Sequence, residues 1–287
     1  MTRTALLLGP SGRFGRHMGT AFLNAGWEVR PFRRGTDDLM QAAQGVDVII
    51  NGWNPPYPEW EAQVPEQIRS VLKAAEVSGA TLLQPGNVYV YGAGSPEIMA
   101  ASTPHLAANR LGRVRVNLEA ALNASSAQTI LLRAGDFLDT EASGNWFDMV
   151  MAAKLAKGRF VYPGPRDRVH AFAFLPDMAR AFVALAETCE TLPLHADIPF
   201  AGYSLTGKAL HTAVEMAAGR SLKTANFPWP VLALAAPFSP MFRGLREMGY
   251  LWSMPHRLDP APLETLLPDF KVAPLDEALK AAIAPLI

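Results

Sequence analysis

Three glycines near the start of the chain have a spacing that suggests ligand binding. Gly9, Gly12 and Gly15 follow a short apolar run at 5–8, and an amphipathic segment follows them and ends at Gly26. Glycines permit a tight turn and the close approach of a ligand to the backbone. The first turn of a helix offers free N–H groups that suit a phosphate. A strand, a glycine-rich turn and a helix in this order therefore indicate a dinucleotide site.

The end of the second predicted strand, at 27–32, indicates which dinucleotide this turn prefers. Arg33 and Arg34 follow that strand directly, and Arg13 lies inside the glycine turn. A carboxylate at this point would bind the ribose 2′-hydroxyl of NAD, whereas an arginine suits the 2′-phosphate of NADP. We therefore expect NADP, with NAD less favoured. The alternative is that these arginines are ordinary solvated surface charges.

A third predicted strand lies at 45–52 and ends in a small polar turn, which includes Asn51 and Gly52 and precedes Trp53. Because the carboxyl ends of parallel strands face the ligand crevice, we expect these three residues to approach the cofactor. The predicted cofactor-binding residues are Gly9, Ser11, Gly12, Arg13, Phe14, Gly15, Arg33, Arg34, Asn51, Gly52 and Trp53.

Strand-like and helix-like patterns alternate along the first half of the chain. This alternation predicts an α/β protein with a Rossmann doubly wound parallel sheet. After Arg133 the regular alternation of strand-like and helix-like patterns changes, and the segment 227–262 is dense in Pro, Trp, Met and Phe. We expect a nucleotide-binding core at 1–135 and 167–199, and a smaller, mainly C-terminal substrate lobe at 136–166 and 200–287.

The composition excludes several classes of protein. An apolar content of 49% and a charged content of 18% are typical of a globular protein with a large core. A formal net charge of zero gives no sign of a nucleic-acid partner. No apolar run approaches the roughly 20 residues of a membrane span, and no secretory signal is visible, so we expect a cytoplasmic protein without a membrane partner. One cysteine and widely spaced histidines predict no metal site.

Several motifs, in their order along the chain, resemble those of the extended short-chain dehydrogenase/reductases, the NAD-dependent epimerase/dehydratase group, and its atypical branch. The motifs are Gly9-x-x-Gly12-x-x-Gly15, Gly45-Val46-Asp47-Val48-Ile49-Ile50-Asn51, Val90-Tyr91-Gly92, Leu132-Arg133-Ala134-Gly135, Phe174-Leu175-Pro176-Asp177-Met178-Ala179 and Leu205-Thr206-Gly207-Lys208. The resemblance spans nearly the whole chain. It implies a nicotinamide cofactor, a small-molecule substrate and pairing of two chains through the helices around 65–78 and 109–124.

The chain lacks the tyrosine and lysine that the resemblance implies as the proton relay. None of its six tyrosines has a lysine four residues on. Placing Glu119 on the glutamate of the family's catalytic helix puts Arg115 at the lysine position and Leu111 at the tyrosine position. Placing Val90-Tyr91-Gly92 on its motif puts Asn87 at the hydroxyl position.

Three hypotheses follow from the missing relay. In the first, another side chain carries the proton. The predicted catalytic residues are Asn87, Tyr89, Tyr91 and Arg115, with Tyr57 and His105 as further candidates. In the second, the protein is a non-catalytic NADP(H) sensor. In the third, hydride transfer takes its proton from water or from the substrate. We favour an oxidoreductase or epimerase/dehydratase-like enzyme on a small nucleotide-sugar or carbonyl substrate.

Overall fold

The computed structural model describes residues 2–287. Its strands are β1 (Thr4–Leu8), β2 (Glu28–Pro31), β3 (Val48–Asn51), β4 (Thr81–Asn87), β5 (Ile98–Met99), β6 (Thr129–Ala134), β7 (Asp136–Leu138), β8 (Arg159–Tyr162), β9 (Val169–Phe174), β10 (His195–Pro199), β11 (Tyr203–Thr206), β12 (Lys223–Asn226) and β13 (Arg257–Leu258). Its helices are α1 (Arg13–Asn24), α2 (Leu39–Ala42), α3 (Trp60–Ser78), α4 (Arg110–Ala124), α5 (Leu175–Glu187), α6 (Gly207–Ala218), α7 (Trp229–Ala235), α8 (Pro240–Glu247), α9 (Ala261–Leu266) and α10 (Leu275–Ile283).

The main sheet has six parallel strands in the order β10-β6-β4-β3-β1-β2. The chain passes from β1 to β2 on one side and returns to place β3 on the other side of β1. Such a reversal opens a crevice at the carboxyl ends of the strands. The doubly wound parallel sheet predicted from the sequence is therefore confirmed, and its crevice lies beyond Leu8 and Asn51.

Burial of the strands follows their positions in this sheet. Every residue of β1 and β3 is buried, as expected for central strands with helices on both faces. By contrast, β2 is mostly exposed and ends in Pro31. An edge strand tolerates proline because one side of it has no partner strand to receive an N–H.

Helices cover the two faces of the main sheet. On one face α1 packs against α5, and the rings of Phe14 and Phe182 meet edge to face at 5.7 Å. On the other face α3 and α4 pack together, with Ile68 and Leu118 in the same buried cluster. Together these helices hold the carboxyl ends of the strands in fixed positions. Among residues 2–287, no helix combines the length and apolarity that a membrane crossing requires.

The rest of the chain forms a lobe around a small sheet of order β11-β9-β7 and the pair β12-β8. Its buried cluster includes Phe147, Phe160, Tyr162 and Trp252. The predicted division differs from the sheets in detail, because β9 lies within 167–199 yet pairs with β7 and β11. The polypeptide from α9 also returns to the core, where Leu263 packs with the helices of the first face.

Candidate functional site

The glycine turn requires glycine for two separate reasons. Gly9 has a φ of +71°, which side chains disfavour. A Cβ on Gly15 would lie 2.1 Å from the carbonyl oxygen of Gly9, so the turn and α1 touch backbone to backbone. A Cβ on Gly52 would lie 2.5 Å from the carbonyl oxygen of Leu8, so the ends of β1 and β3 meet equally closely. These contacts leave a cradle without side chains at the crevice.

The start of α1 completes this cradle. Its N-cap is Gly12, which supplies no side-chain cap, and the first turn carries no acidic residue. The free N–H groups of a helix start attract an anion. The residues present therefore fit the pyrophosphate of a dinucleotide.

The arginines predicted to select NADP lie in different surroundings. The guanidinium of Arg34 lies over the ring of Trp53, 4.6 Å from its centre, while Arg33 is exposed and pairs with Asp37 at 3.1 Å. Arg34 and Trp53 thus form one platform at the ends of β2 and β3. Arg13 instead faces Gly144, since a Cβ there would lie 3.3 Å from its Nη2.

Asn51 holds two strands together. Its Nδ2 donates to Oε1 of Gln84 at 2.7 Å, and its Oδ1 accepts from the N–H of Trp53 at 3.3 Å. The side chain is buried, and these bonds fix β3 against β4 and set the start of the segment that carries Trp53. Asn51 therefore fixes the positions of the strand ends that border the crevice.

Two tyrosines from distant parts of the chain meet at the crevice. The hydroxyls of Tyr57 and Tyr89 lie 2.5 Å apart, and Trp60 packs on both rings. The guanidinium of Arg115 lies 4.0 Å from the centre of the Trp60 ring, and its Nη2 donates to Oδ1 of Asn54 at 2.6 Å. We call Tyr57 and Tyr89 the tyrosine pair, and Arg115 is the arginine that lies beside it.

Burial determines the protonation of this group. It raises the pKa of Tyr57 to about 12 and raises the pKa of Tyr89 well above its usual 10. Burial also lowers the pKa of Arg115 to about 10, and the charge of this arginine opposes the rise at both tyrosines. At neutral pH both hydroxyls keep their protons beside a cation, and the raised pKa makes each of them a weaker acid than a free tyrosine.

Sequence reasoning missed a second polar group, Asp136 with His170. Asp136 begins β7, and its Oδ2 lies 2.6 Å from Nε2 of His170, which is buried. The imidazole of His170 stacks on Trp252, with ring centres 4.1 Å apart and planes at 2°. The charge of Asp136 contributes to the raised pKa of Tyr57 and of Tyr89. The available signal was the position of Asp136 just after the strand end at Ala134.

The structure does not bring Tyr91 into the crevice. Its ring is fully buried below Arg133, and its hydroxyl donates to the carbonyl of Ala100 at 3.3 Å. Asn87 has a local structural contact as well, because its Oδ1 accepts from the N–H of Tyr89 at 3.0 Å. The hydroxyl of Tyr91 is thus bonded within the core, and Asn87 stabilises the turn that carries Tyr89.

His105 lies in a partly buried ionic cluster next to Tyr91, with the two ring centres 5.9 Å apart. His105, Glu119 and Asp197 have ligand atoms within 4.8 Å of one another. Arg133 already supplies a cation there, since its Nη2 donates to Glu119 at 2.8 Å and to Asp197 at 2.7 Å. Because this guanidinium bonds both carboxylates, it already supplies the positive charge that a metal ion would bring to the cluster.

Comparison with known proteins extends the fold assignment. No family model and no curated protein matches the sequence. Among solved structures, the UDP-glucuronic acid 4-epimerase from Bacillus cereus, in complex with UDP-glucuronic acid and NAD, has a TM-score of 0.76 at 14% identity, over 99% of this chain and 98% of that chain. The Bordetella bronchiseptica enzyme WbmH, in complex with NAD⁺, has a TM-score of 0.75 at 15% identity, over 99% of this chain and 98% of that chain. A nucleoside-diphosphate-sugar epimerase from Staphylococcus aureus has a TM-score of 0.70 at 16% identity, over 97% of this chain and 100% of that chain.

This chain has the fold that these three solved structures share. Alignments that cover nearly all of both chains include the lobe as well as the Rossmann core. Within this fold, Leu111 is fully buried in the core on α4, and Arg115 on the same helix approaches the tyrosine pair. The structure therefore shares the fold of these neighbours, and it brings Arg115 close to Tyr57 and Tyr89.

Proposed function

We propose that the protein is an NADP-dependent oxidoreductase or epimerase-like enzyme that acts on a carbonyl or hydroxyl group of a small molecule. The observation that carries this proposal is the 2.5 Å contact between the hydroxyls of Tyr57 and Tyr89, next to the buried guanidinium of Arg115. This group lies beside the end of β4, where the fold opens its crevice.

A bound nicotinamide dinucleotide would supply a hydride to the substrate carbon, or accept one from it. In the reducing direction, the hydroxyl of Tyr89 or Tyr57 gives its proton to the carbonyl oxygen as that oxygen gains charge. The second hydroxyl then donates to the tyrosinate, and Arg115 stabilises its negative charge. Solvent returns the proton, so the substrate gains one hydride and one proton. In the reverse direction one hydroxyl of the pair must first lose its proton, which the raised pKa of Tyr57 and of Tyr89 favours only at high pH.

The proposed preference for NADP rests on Arg34 and Arg33 at the end of β2. Arg34 is already held against Trp53, so its guanidinium is in place beside a ring that suits stacking with adenine. The structural neighbours that carry a dinucleotide hold NAD. Titration of the protein with NADP⁺ and NAD⁺ therefore tests the preference, and tighter binding of NAD⁺ would contradict it.

Activity is tested by oxidation of NADPH in the presence of a panel of carbonyl compounds and nucleotide sugars. We expect turnover in the unmodified protein and a large loss of kcat in the Tyr89→Phe and Tyr57→Phe variants. Full activity in the double variant would contradict the tyrosine pair as proton donor and would favour a proton taken from water or from the substrate.

A non-catalytic NADP(H) sensor is the second candidate. The observation in its favour is that Leu111 and Arg115 occupy positions from which a tyrosine and a lysine would serve the relay of the resembled family. A sensor would bind NADP⁺ and NADPH with different affinities and show no turnover with any substrate. Robust turnover would contradict it.

A further inference from the structure

The exposed apolar side chains of the protein are concentrated in one short segment. Of the fifteen large apolar side chains that are exposed among residues 2–287, five lie within 231–242. They are Val231, Leu234, Phe238, Met241 and Phe242, and Phe238 has 89% of its surface exposed. Single exposed apolar residues are normal, whereas a group of them marks an interaction surface.

These five side chains lie on the outer side of α7 and α8, and we call them the apolar face. The two helices pack against each other and are joined through a 3₁₀ turn at Ala236–Phe238. Leu232 in α7 and Gly244 in α8 are buried on the inner side. Residues three or four positions apart share one side of a helix, so Val231, Leu234 and Phe238 face outward together.

The inner side of α8 is fixed to the body of the protein. A Cβ on Gly244 would lie 3.0 Å from Cδ2 of Tyr57 and 3.3 Å from Cδ1 of Leu111. The N–H of Leu111 donates to Oε1 of Glu247, at the end of the same helix. Since the inner side already makes these contacts, the apolar face is not part of the core and is presented to the surroundings.

Two arginines border the apolar face. Nη1 of Arg243 donates to the carbonyl of Pro237 at 3.4 Å, which holds its guanidinium next to Phe238. Arg243 and Arg246 line one hollow of about 250 Å³ and are both exposed, and neither forms an ion pair with any of residues 2–287. Glu247 also lines this hollow, but its carboxylate bonds Leu111 and pairs with Arg110 at 3.5 Å. The face therefore combines apolar side chains with two unbalanced positive charges.

This combination of charge and apolar area suits a lipid surface better than a second copy of the chain. Glu247 is the one acidic residue in the segment 227–258, so the same face of a second copy offers no free carboxylate to the arginines. A stable protein interface also takes about 20–30 residues from each side, more than this face provides. An anionic bilayer supplies acyl chains for the apolar residues and negative headgroups for the arginines.

We propose that α7 and α8 bind the surface of an anionic lipid bilayer. Leu234, Phe238 and Phe242 enter the boundary between headgroups and acyl chains, and the two arginines contact lipid phosphates. Helices that lie on a bilayer need no spanning segment, so the lack of a membrane-crossing helix among residues 2–287 does not oppose this contact. The binding does not depend on the proposed function.

Flotation of the full-length protein with vesicles tests the proposal. The vesicles consist of phosphatidylcholine alone or of phosphatidylcholine mixed with phosphatidylserine. We expect the protein to float with the mixed vesicles, and to bind them less tightly at high salt because the arginine contacts are screened. Binding to phosphatidylcholine alone should be weaker.

Variants of the exposed residues separate the apolar contribution from the charge. Leu234→Ser combined with Phe238→Ser should weaken binding to the mixed vesicles about tenfold or more, because less apolar area enters the bilayer. Met216→Ser is the matched control and should have no effect, since Met216 is equally exposed but lies on α6.

Arg243→Gln combined with Arg246→Gln should weaken binding to the mixed vesicles about fivefold for each arginine. It should leave binding to phosphatidylcholine unchanged. Arg69→Gln combined with Lys73→Gln alters the net charge equally, at two exposed positions of α3, and should have no effect.

Three results would overturn the proposal: no flotation with the mixed vesicles, equal binding to both kinds of vesicle, or binding unaffected by Leu234→Ser with Phe238→Ser. Sedimentation velocity without lipid should give the same particle mass for the unmodified protein and for Phe238→Ser. A smaller mass for the variant would show that a second copy covers the face, and would also overturn the proposal. Tyr89→Phe should bind vesicles normally even without turnover, so failure of the proposed function is distinguishable.

Discussion

The hydroxyls of Tyr57 and Tyr89 lie 2.5 Å apart, although 32 positions separate the two residues in the sequence. Tyr57 comes from the proline-rich loop after β3, and Tyr89 comes from the turn after β4. Neighbouring strands of the sheet end at the same crevice, so their following loops bring the two rings together. In the proposed function, this pair supplies the proton to the substrate.

The first prediction concerns this pair. Tyr89→Phe and Tyr57→Phe should each lower kcat about 100- to 10,000-fold, because each removes a hydroxyl that donates or shares the proton. Affinity for the dinucleotide should remain unchanged. Steady-state kinetics and dinucleotide titration measure both quantities.

Tyr91→Phe is the matched control for the tyrosine pair. It also removes a hydroxyl, but that hydroxyl bonds the carbonyl of Ala100 in the core. We expect unchanged kcat and a loss of about 1 kcal/mol in the free energy of unfolding. Loss of kcat in this variant with full activity in Tyr89→Phe would contradict the assignment.

The second prediction concerns dinucleotide preference. Arg34→Ala should weaken NADP⁺ binding about tenfold or more, because the proposed charge-assisted contact with the 2′-phosphate is lost. Binding of NAD⁺ should change much less. Arg30→Ala, on the same edge strand but paired with Glu28, is the control and should affect neither. Equal weakening of NADP⁺ and NAD⁺ by Arg34→Ala would show that the arginine does not distinguish them.

The third prediction concerns the glycine turn. Gly15→Ala places a methyl group 2.1 Å from the carbonyl oxygen of Gly9, so the turn must open. We expect loss of dinucleotide binding and a lower free energy of unfolding, by about 1–3 kcal/mol or more. Gly94→Ala is the control, since a Cβ there meets no atom within 4 Å. Thermal unfolding with and without dinucleotide measures both effects, and normal binding in Gly15→Ala would refute the cradle.

The fourth prediction concerns the buried guanidinium of Arg133. Burial alone would lower its pKa, but the charges of Glu119 and Asp197 reverse that effect, so the pKa is raised. Glu119→Gln should lower the free energy of unfolding by about 3–5 kcal/mol, because it leaves a buried charge with less compensation. Asp276→Asn, in an exposed pair with Lys280, should have no measurable effect. Urea unfolding compares the two, and equal stability would argue against the ionic cluster.

The fifth prediction concerns pH and His256. Burial, followed by the proximity of His170, lowers the pKa of His256 to about 3 from an ordinary 6.5. Between these values the unfolded chain binds a proton that the folded protein excludes. Stability from this group is therefore complete above pH 6.5 and is lost as the pH falls, by about 1.4 kcal/mol per unit.

His256→Gln should therefore flatten the dependence of the unfolding free energy on pH in that window, by up to one proton. Denaturant unfolding at a series of pH values measures the slope for both proteins. The comparison isolates this residue from the carboxylates that titrate in the same range. Identical slopes would mean that His256 titrates normally in the folded protein.

The contrast between Tyr89 and Tyr91 shows where sequence reasoning fell short. A strand-like run at 88–92 would put both rings on one face, since side chains alternate with a period of two. The structure instead has a 3₁₀ turn at Val88–Val90, with three residues per turn. The turn separates the rings, so Tyr89 reaches the crevice and Tyr91 enters the core. The structure thus places two residues that the sequence treated as equivalent candidates in different surroundings, and which of them carries a proton stays a prediction.

The sequence by itself determined the strand, glycine turn and helix at the start of the chain, because contacts within a few residues decide that unit. Periodicity likewise determined the alternation that builds the parallel sheet. Only the tertiary structure decided that Tyr57 meets Tyr89 and that Asp136 meets His170, 34 positions away. Local patterns report which face a residue presents, whereas the packing of distant loops at the sheet's edge decides which polar side chains meet.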